Sequence, residues 1–159
     1  MNPEQREALQ ERFNFRCGYC GVSETDAGAE MTADHFQPSS KGGADNSSNW
    51  IYCCHACNEF KSNYWNPDSV DRVLNPLVDD ISEHLNEMDD GQLRGRTVTG
   101  NFFIQKLKLN RPTLVAHRLQ RTRREHMTER YKQLEERIAV LEARLAEIEE
   151  STNENEQTE

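Results

Sequence analysis

The stretch ADHFQP at residues 33–38 places an acid directly beside a histidine. A neutral imidazole with a pKa of about 6.5 can take a proton from water at neutral pH, so His35 is a candidate general base. Asp34 and Asn58 offer a carboxylate and an amide oxygen, a pair that suits Mg²⁺, which takes few protein ligands and keeps several waters. Together these residue types suit metal-assisted hydrolysis of a phosphodiester.

Two CxxC pairs flank this stretch, Cys17–Cys20 and Cys54–Cys57, with 33 residues between them. Each spacing allows two thiolates to reach one ion, and four thiolates complete a closed tetrahedral zinc site. A closed site has no open position for substrate, so we expect a structural zinc. Buried cysteines without metal, or a redox CxxC, are the alternatives. Cys53 is an alternative ligand to Cys54, but the spacing favours Cys54 and leaves Cys53 as a small buried apolar residue.

All five cysteines lie between residues 17 and 57. An odd number of cysteines, in a chain whose N-terminus lacks an apolar signal-peptide core, favours thiolate ligands over disulfides. No stretch approaches the roughly 18 apolar residues of a membrane span. The sequence therefore predicts a cytoplasmic protein with no membrane association.

The elements that must position these residues are short. Asn2-Pro3 is typical of a helix start, with Gln5 completing a capping box, and predicts a helix to about Phe13. Apolar runs at 31–36 and 50–52 predict two strands, followed by a helix from about Cys54. Further along, Asp90-Gly91 predicts a hairpin, and Asn110 can cap a helix whose first turn accommodates Pro112.

These signals predict an α+β chain in four parts. Residues 1–66 form a zinc-stapled module, and residues 67–117 an extension with a hairpin and a helix. Residues 118–150 form a basic helix that runs into a coiled coil, and the polar residues 151–159 are predicted to be disordered. Only 35% of residues are apolar and 30% are charged, so a metal staple is expected to support the small core.

The order of these motifs resembles that of the HNH endonucleases, also called ββα-metal or His-Me finger nucleases. Their frequent pattern is CxxC, then DHxxP, GG, N and CxxCNxxK. The matching positions here are Cys17, Cys20, Asp34, His35, Pro38, Gly42, Gly43, Asn49, Cys54, Cys57, Asn58 and Lys61. Phe36 replaces the usual Ile or Val, a mild departure. Asn58 replaces a final His, a common variant that keeps an oxygen ligand.

The resemblance implies a role for each matching side chain. His35 would be the general base, and Asp34 and Asn58 would hold the catalytic Mg²⁺ or Mn²⁺. Asn49 would brace the loop that aims His35, and Lys61 would contact a phosphate or cap the local charge. Adjacent residues of a strand point to opposite faces, so Asp34 and His35 can serve one site only if the strand distorts there.

Charge is unevenly distributed along the chain. The net charge is −9, yet residues 94–132 carry eleven Lys and Arg against two acids. A local positive field of this kind favours binding to a polyanion. We expect nucleic acid, DNA foremost, as the partner; a merely solvated basic helix is the alternative. The predicted phosphate contacts are Lys61, Arg111, Arg118, Arg121 and Arg124.

The end of the basic segment changes to a heptad pattern, with apolar residues at alternating spacings of four and three from Met127 to Ile148. The a and d positions are Tyr131, Leu134, Ile138, Leu141, Leu145 and Ile148. The g positions are Arg130, Arg137 and Arg144, and the e positions are Glu135, Glu142 and Glu149. A parallel pair sets each g arginine against an e′ glutamate, whereas an antiparallel pair opposes like charges. The pattern predicts a parallel homodimer through residues 127–149; packing onto its own domain or onto another protein are the alternatives.

The sequence thus favours a metal-dependent endonuclease whose module nicks one strand of DNA. A dimer would carry two such modules and could cut both strands. A zinc-containing nucleic-acid-binding or dimeric adaptor protein that does not cut is the alternative from a different class. An RNA-directed nuclease would use the same residues.

Overall fold

The computed structural model describes the backbone of residues 1–156 and the side chains of residues 1–146. The chain divides into two units, Met1–Leu119 and Gln120–Glu159. The first contains both short sheets and all but one of the described helices in full. Among the described residues, no helix is long and apolar enough to cross a membrane.

The N-terminal helix α1 (Pro3–Arg12) begins as predicted. The Asn2 side chain accepts a hydrogen bond from the Gln5 backbone at 2.8 Å, and the Gln5 side chain accepts one from the Asn2 backbone at 2.8 Å. This reciprocal capping box satisfies two amide groups that the first helical turn leaves without partners. Leu9 is the buried residue through which α1 joins the core.

A two-stranded antiparallel sheet and a helix form the centre of the first unit. Strand β1 (Thr32–His35) pairs with β2 (Trp50–Cys53), and α3 (His55–Lys61) follows at once. The short helix α2 (Glu24–Ala27) precedes β1, and a 3₁₀ turn (Ser39–Lys41) lies between the strands. All four residues of β2 are buried, as expected for a strand covered on both faces. Cys53 lies among them as a buried apolar residue.

The extension contains the hairpin that Asp90-Gly91 predicted. The short helix α4 (Ile81–His84) leads into strand β3 (Leu85–Glu87), which pairs with β4 (Leu93–Gly95). Gly91 has φ +75°, and a Cβ there would lie 2.9 Å from the Val115 carbonyl oxygen. Only glycine fits both the left-handed backbone and this close approach. Helix α5 (Val98–Lys106) follows, with the Thr97 hydroxyl capping its first turn.

Asn110 does not cap the next helix as predicted. Its side chain instead accepts from the Leu93 amide at 2.7 Å and donates to the Leu93 carbonyl at 2.8 Å. These two hydrogen bonds resemble those between paired strands, and they satisfy the backbone amide and carbonyl of Leu93 in β4. The start of α6 is exposed to solvent, where amides can bond to water instead.

Helix α6 (Pro112–Glu156) begins at the predicted proline and crosses the boundary between the two units. It includes the first six residues of the predicted disordered tail, because no glycine or further proline interrupts it. The rest of that predicted tail, residues 157–159, lies outside the described residues.

Candidate active site and zinc site

The four cysteines of the two CxxC pairs converge. Their sulfur atoms all lie within 4.8 Å of one another, and Cys20 Sγ lies 3.8 Å from Cys54 Sγ. A tetrahedral zinc with Zn–S bonds of about 2.3 Å holds its sulfurs roughly 3.8 Å apart. The arrangement therefore fits a closed site with Cys17, Cys20, Cys54 and Cys57 as ligands.

The local backbone explains why the cysteines meet. Cys17 and Cys20 lie in a tight turn, in which the Gly21 amide donates to the Cys17 carbonyl at 2.8 Å. The Gly18 amide donates to the Tyr52 carbonyl at 2.8 Å and so attaches this turn to β2. Cys54 is the N-cap of α3, directly after β2, and Cys57 lies one turn into the helix. Without a metal the four thiols share their protons: hydrogen bonds with Cys17 and Cys20 lower the pKa of Cys54, whereas hydrogen bonds with their neighbours raise the pKa of Cys20 and of Cys57.

A fifth side chain, Arg111, lies against this cluster. Its guanidinium nitrogens approach Cys57 Sγ at 3.8 Å and Cys54 Sγ at 3.9 Å. They also donate to the Leu107 carbonyl at 3.3 Å. A cation that donates N–H groups to thiolates offsets the excess negative charge of four sulfurs around one Zn²⁺. In this structure the Arg111 guanidinium contacts the cysteine cluster, and its predicted contact with phosphate stays a prediction.

Replacing Arg111 with methionine should therefore weaken zinc retention. Removing an outer partner of a metal site typically costs about 10- to 100-fold in metal affinity. We expect Arg111→Met to lose zinc to a chromogenic chelator at least about tenfold faster than the parent chain. Arg123→Met, which removes an exposed arginine from the second unit, is the matched control. Equal zinc loss from all three proteins would show that Arg111 does not stabilise the site.

Asp34 and His35 point to opposite faces of β1. The pairing of β1 with β2 is regular through all four residues, with Asp34 opposite Ile51 and His35 opposite Trp50. The distortion that we expected at 34–35 is therefore absent. Ordinary strand alternation sends Asp34 into the interior, where its side chain is 8% exposed, and leaves His35 34% exposed.

The Asp34 carboxylate is fully engaged in the interior. Lys61 Nζ lies 2.9 Å from one of its oxygens, and the Tyr19 hydroxyl donates to the same oxygen at 2.6 Å. The Lys61 ammonium also donates to the His35 carbonyl at 2.9 Å. Since the Lys61 side chain is only 1% exposed, the pair is a buried salt bridge with good hydrogen-bond geometry.

On the other face, His35 meets an acid that the sequence analysis did not single out. His35 Nε2 lies 2.8 Å from Asp45 Oδ1, and the Trp50 indole N–H donates to the same oxygen at 2.9 Å. Asp45 lies in the loop between the strands, two residues after Gly43. No local pattern marks it, because the contact depends on how this loop returns to β2.

The Asn49 side chain ties that loop to the end of β1. Its side chain accepts from the Gln37 amide at 2.8 Å and donates to the Gln37 carbonyl at 2.9 Å and the Ala44 carbonyl at 2.8 Å. Gly43 allows this approach, because a Cβ there would lie 1.8 Å from the Gln37 carbonyl oxygen. The loop is thereby tied to the end of β1, directly beside His35.

Residues 17–64 match the family model described as HNH endonuclease. The chain contains an HNH endonuclease domain. The four converging cysteines are compatible with the zinc-stapled subtype of this family. No curated protein and no solved structure matches the chain. The HNH assignment therefore rests on this match together with the order β1, β2, α3 and the cysteine cluster.

HNH nucleases use divalent metals, so the predicted ligands need testing against the geometry. Asp34 Oδ2 binds the Lys61 ammonium and the Tyr19 hydroxyl, and Asp34 Oδ1 accepts a second contact from Lys61 at 3.2 Å. Asn58 is half-buried in α3, one turn before Lys61, and among the described residues its side chain makes no hydrogen bond. The predicted Mg²⁺ or Mn²⁺ site at Asp34 and Asn58 does not fit this arrangement, because the Lys61 ammonium already neutralises the carboxylate.

The predicted phosphate contacts also need correction. Lys61 is buried against Asp34, and Arg118 is 3% exposed, with its guanidinium donating to the Gly91 and Leu109 carbonyls. Side chains that are buried in this way do not reach the phosphates of a bound nucleic acid strand. Arg121 and Arg124 lie in the second unit, where Arg121 forms an i,i+4 pair with Glu125 at 3.6 Å. Their contact with nucleic acid stays a prediction.

Proposed function

We propose that this chain is an endonuclease that hydrolyses phosphodiester bonds in DNA, with His35 as the general base. The observation that carries the proposal is the position of His35 within the HNH match, at the exposed end of β1, with its imidazole accessible and bonded through Nε2. An imidazole held at one nitrogen keeps the other for proton transfer.

The reaction uses water and not the sugar as nucleophile. His35 takes a proton from water, the resulting hydroxide attacks phosphorus, and the bond from phosphorus to the 3′ oxygen breaks. The 3′ oxygen leaves with a proton from solvent, which gives a 5′ phosphate and a 3′ hydroxyl. Since this route needs no ribose 2′ hydroxyl, DNA is a competent substrate.

Nicking of a supercoiled plasmid tests the proposal directly. The zinc-loaded full chain is incubated with plasmid in Mg²⁺ or Mn²⁺, and a parallel reaction contains single-stranded RNA of equal nucleotide concentration. We expect open-circular DNA to accumulate with time. Cleavage of RNA alone would favour the RNA-directed alternative and overturn the assignment of DNA.

One observation favours a second candidate from a different class. A domain whose Asp34 is neutralised by Lys61 could serve as a zinc-stapled nucleic-acid-binding or adaptor module that does not cut. Such a protein would retard DNA in a gel shift and leave the plasmid supercoiled at every metal concentration.

We also propose that the second unit forms a parallel homodimer through residues 127–149. Its described apolar heptad positions, from Met127 to Leu145, are all exposed. A second copy is the partner that best fits the charges, because each arginine at g would face a glutamate at e′. Ile148 and Glu149 complete the pattern, but their side chains lie outside the described residues.

Complementary charge swaps test the dimer and its orientation together. The first variant carries Glu135→Lys and Glu142→Lys, and the second carries Arg130→Glu and Arg137→Glu. Each alone should weaken self-association at least about tenfold by sedimentation, because four attractive contacts become repulsive. A mixture of the two variants should restore a dimer.

Glu129→Lys with Glu136→Lys, at the outward f positions, is the matched control and should leave the dimer intact. A parent chain that sediments as a monomer at micromolar concentration would refute the dimer. Dimers that all three variants retain would refute the proposed parallel pairing.

A further inference from the structure

We propose that Asp45 is a positioning residue for His35: its carboxylate, held by Trp50, keeps the proton of the neutral imidazole on Nε2 and leaves Nδ1 to accept a proton from water. The inference rests on the proposed function and names the atom through which that function would operate. It also assigns a role to two residues outside the predicted site.

Three groups share one oxygen atom. Asp45 Oδ1 lies 2.8 Å from His35 Nε2 and accepts the Trp50 indole N–H at 2.9 Å. An indole can only donate, so the contact with Trp50 fixes this oxygen as an acceptor. The hydrogen bond with His35 lowers the pKa of Asp45, which keeps the group a carboxylate. A carboxylate accepts only, so Nε2 must carry the hydrogen.

The framework around this oxygen is rigid on two sides. Trp50 is buried and is the direct partner of His35 across the β1–β2 ladder, so the indole and the imidazole are set by the same register. Asn49 donates to the carbonyl of Ala44, the residue before Asp45, and holds the loop against Gln37. The position of the carboxylate is therefore determined by the sheet and by the braced loop.

Because Asp45 itself is 68% exposed, its contact with His35 should add little to stability. Its effect is on the choice between two ring tautomers and on the angle of the ring. Buried orienting acids in hydrolases have much larger effects, since solvent does not compete with them. For this exposed acid we expect about a tenfold loss in kcat, similar to the loss of an outer partner in a metal site.

The experiment combines nitrogen NMR with kinetics on the full zinc-loaded chain. Long-range ¹H–¹⁵N spectra of the neutral ring report which nitrogen of His35 is protonated, with the signals assigned by their absence in His35→Ala. We expect the proton on Nε2 in the parent chain and a mixture of tautomers in Asp45→Ala. In the nicking assay, Asp45→Ala should lower kcat about tenfold and change KM by less than about twofold.

Three further variants separate positioning from a general effect of charge. Asp45→Asn retains an acceptor oxygen and should keep the Nε2 tautomer and most of the activity. Trp50→Phe removes the indole donor and should shift kcat in the same direction as Asp45→Ala, by less. Asp89→Ala, an exposed acid in the turn of the β3–β4 hairpin, should match the parent chain.

The outcomes distinguish this inference from the proposed function. A proton on Nδ1 in the parent chain would overturn the role of Asp45 whatever the activity. The role of Asp45 would also be overturned if Asp45→Ala had the same His35 tautomer as the parent chain, or the same kcat. If the parent chain does not cleave any nucleic acid, the proposed function fails, and the NMR result alone decides whether Asp45 sets the tautomer.

Discussion

Replacement of His35 by alanine is expected to lower the rate of plasmid nicking by at least about 100-fold. The physical reason is the loss of the group that takes the proton from water, at a site where no second histidine can replace it. Within the HNH match the other histidine is His55, which lies in α3 directly after the predicted zinc ligand Cys54. The rate is measured from the conversion of supercoiled to open-circular plasmid under single-turnover conditions.

His126→Ala is the matched control for this variant, since His126 is exposed and lies outside the HNH match. It should nick at the parent rate. Both variants should bind the parent amount of zinc, because neither side chain contacts the cysteine cluster. Equal cleavage by the parent chain and His35→Ala would remove His35 from the mechanism.

Replacement of Cys57 by serine is expected to abolish zinc binding and unfold the first unit. Structural zinc sites bind with an apparent free energy of about 10 to 16 kcal/mol in small domains, which is as large as the whole stability of most domains. Cys57 is buried, and its three partner sulfurs would lie close together without a cation. The two CxxC pairs then lose the metal that would hold them together in the folded state.

Two measurements test the effect of Cys57→Ser. Zinc per chain should fall from one to none, and the tryptophan emission, to which buried Trp50 and half-buried Trp65 both contribute, should shift to the wavelength of exposed indoles. Tryptophan emission is preferable to far-UV circular dichroism, because the long helix α6 contributes much of the helical signal. Cys53→Ala is the matched control, since Cys53 is buried beside the cluster without belonging to it. A Cys57→Ser chain that retains zinc and the parent melting temperature would refute the predicted ligand set.

Local signals predicted much of the framework. The capping box at Asn2 and Gln5, the hairpin at Asp90-Gly91 and the spacing of the cysteines each depend on a few neighbouring residues. Such features are determined by backbone preferences and short-range hydrogen bonds, which the sequence displays directly. The convergence of two cysteine pairs 33 residues apart was predictable because a metal imposes it.

The partners of the charged side chains were not predictable in the same way. Lys61 and Arg118 belong to patterns typical of phosphate contacts, yet each is buried against acceptors distant in the chain. The contact between Asp45 and His35 likewise depends on the path of the loop between the strands. Charge along a sequence indicates the local field, whereas the burial of a given cation is decided by tertiary packing.

The buried pair of Asp34 and Lys61 has a consequence for how this chain can change over generations. Loss of either partner leaves an uncompensated charge in the interior, at a cost of about 3 to 5 kcal/mol. A single substitution at either position is therefore expected to destabilise the fold, although a neutral pair of suitable size could replace both. The residues at these two positions, which lie 27 residues apart in the chain, are thus expected to change together. In related chains, the loss of the lysine should coincide with a different residue at the aspartate, or with a cation that takes the place of the ammonium.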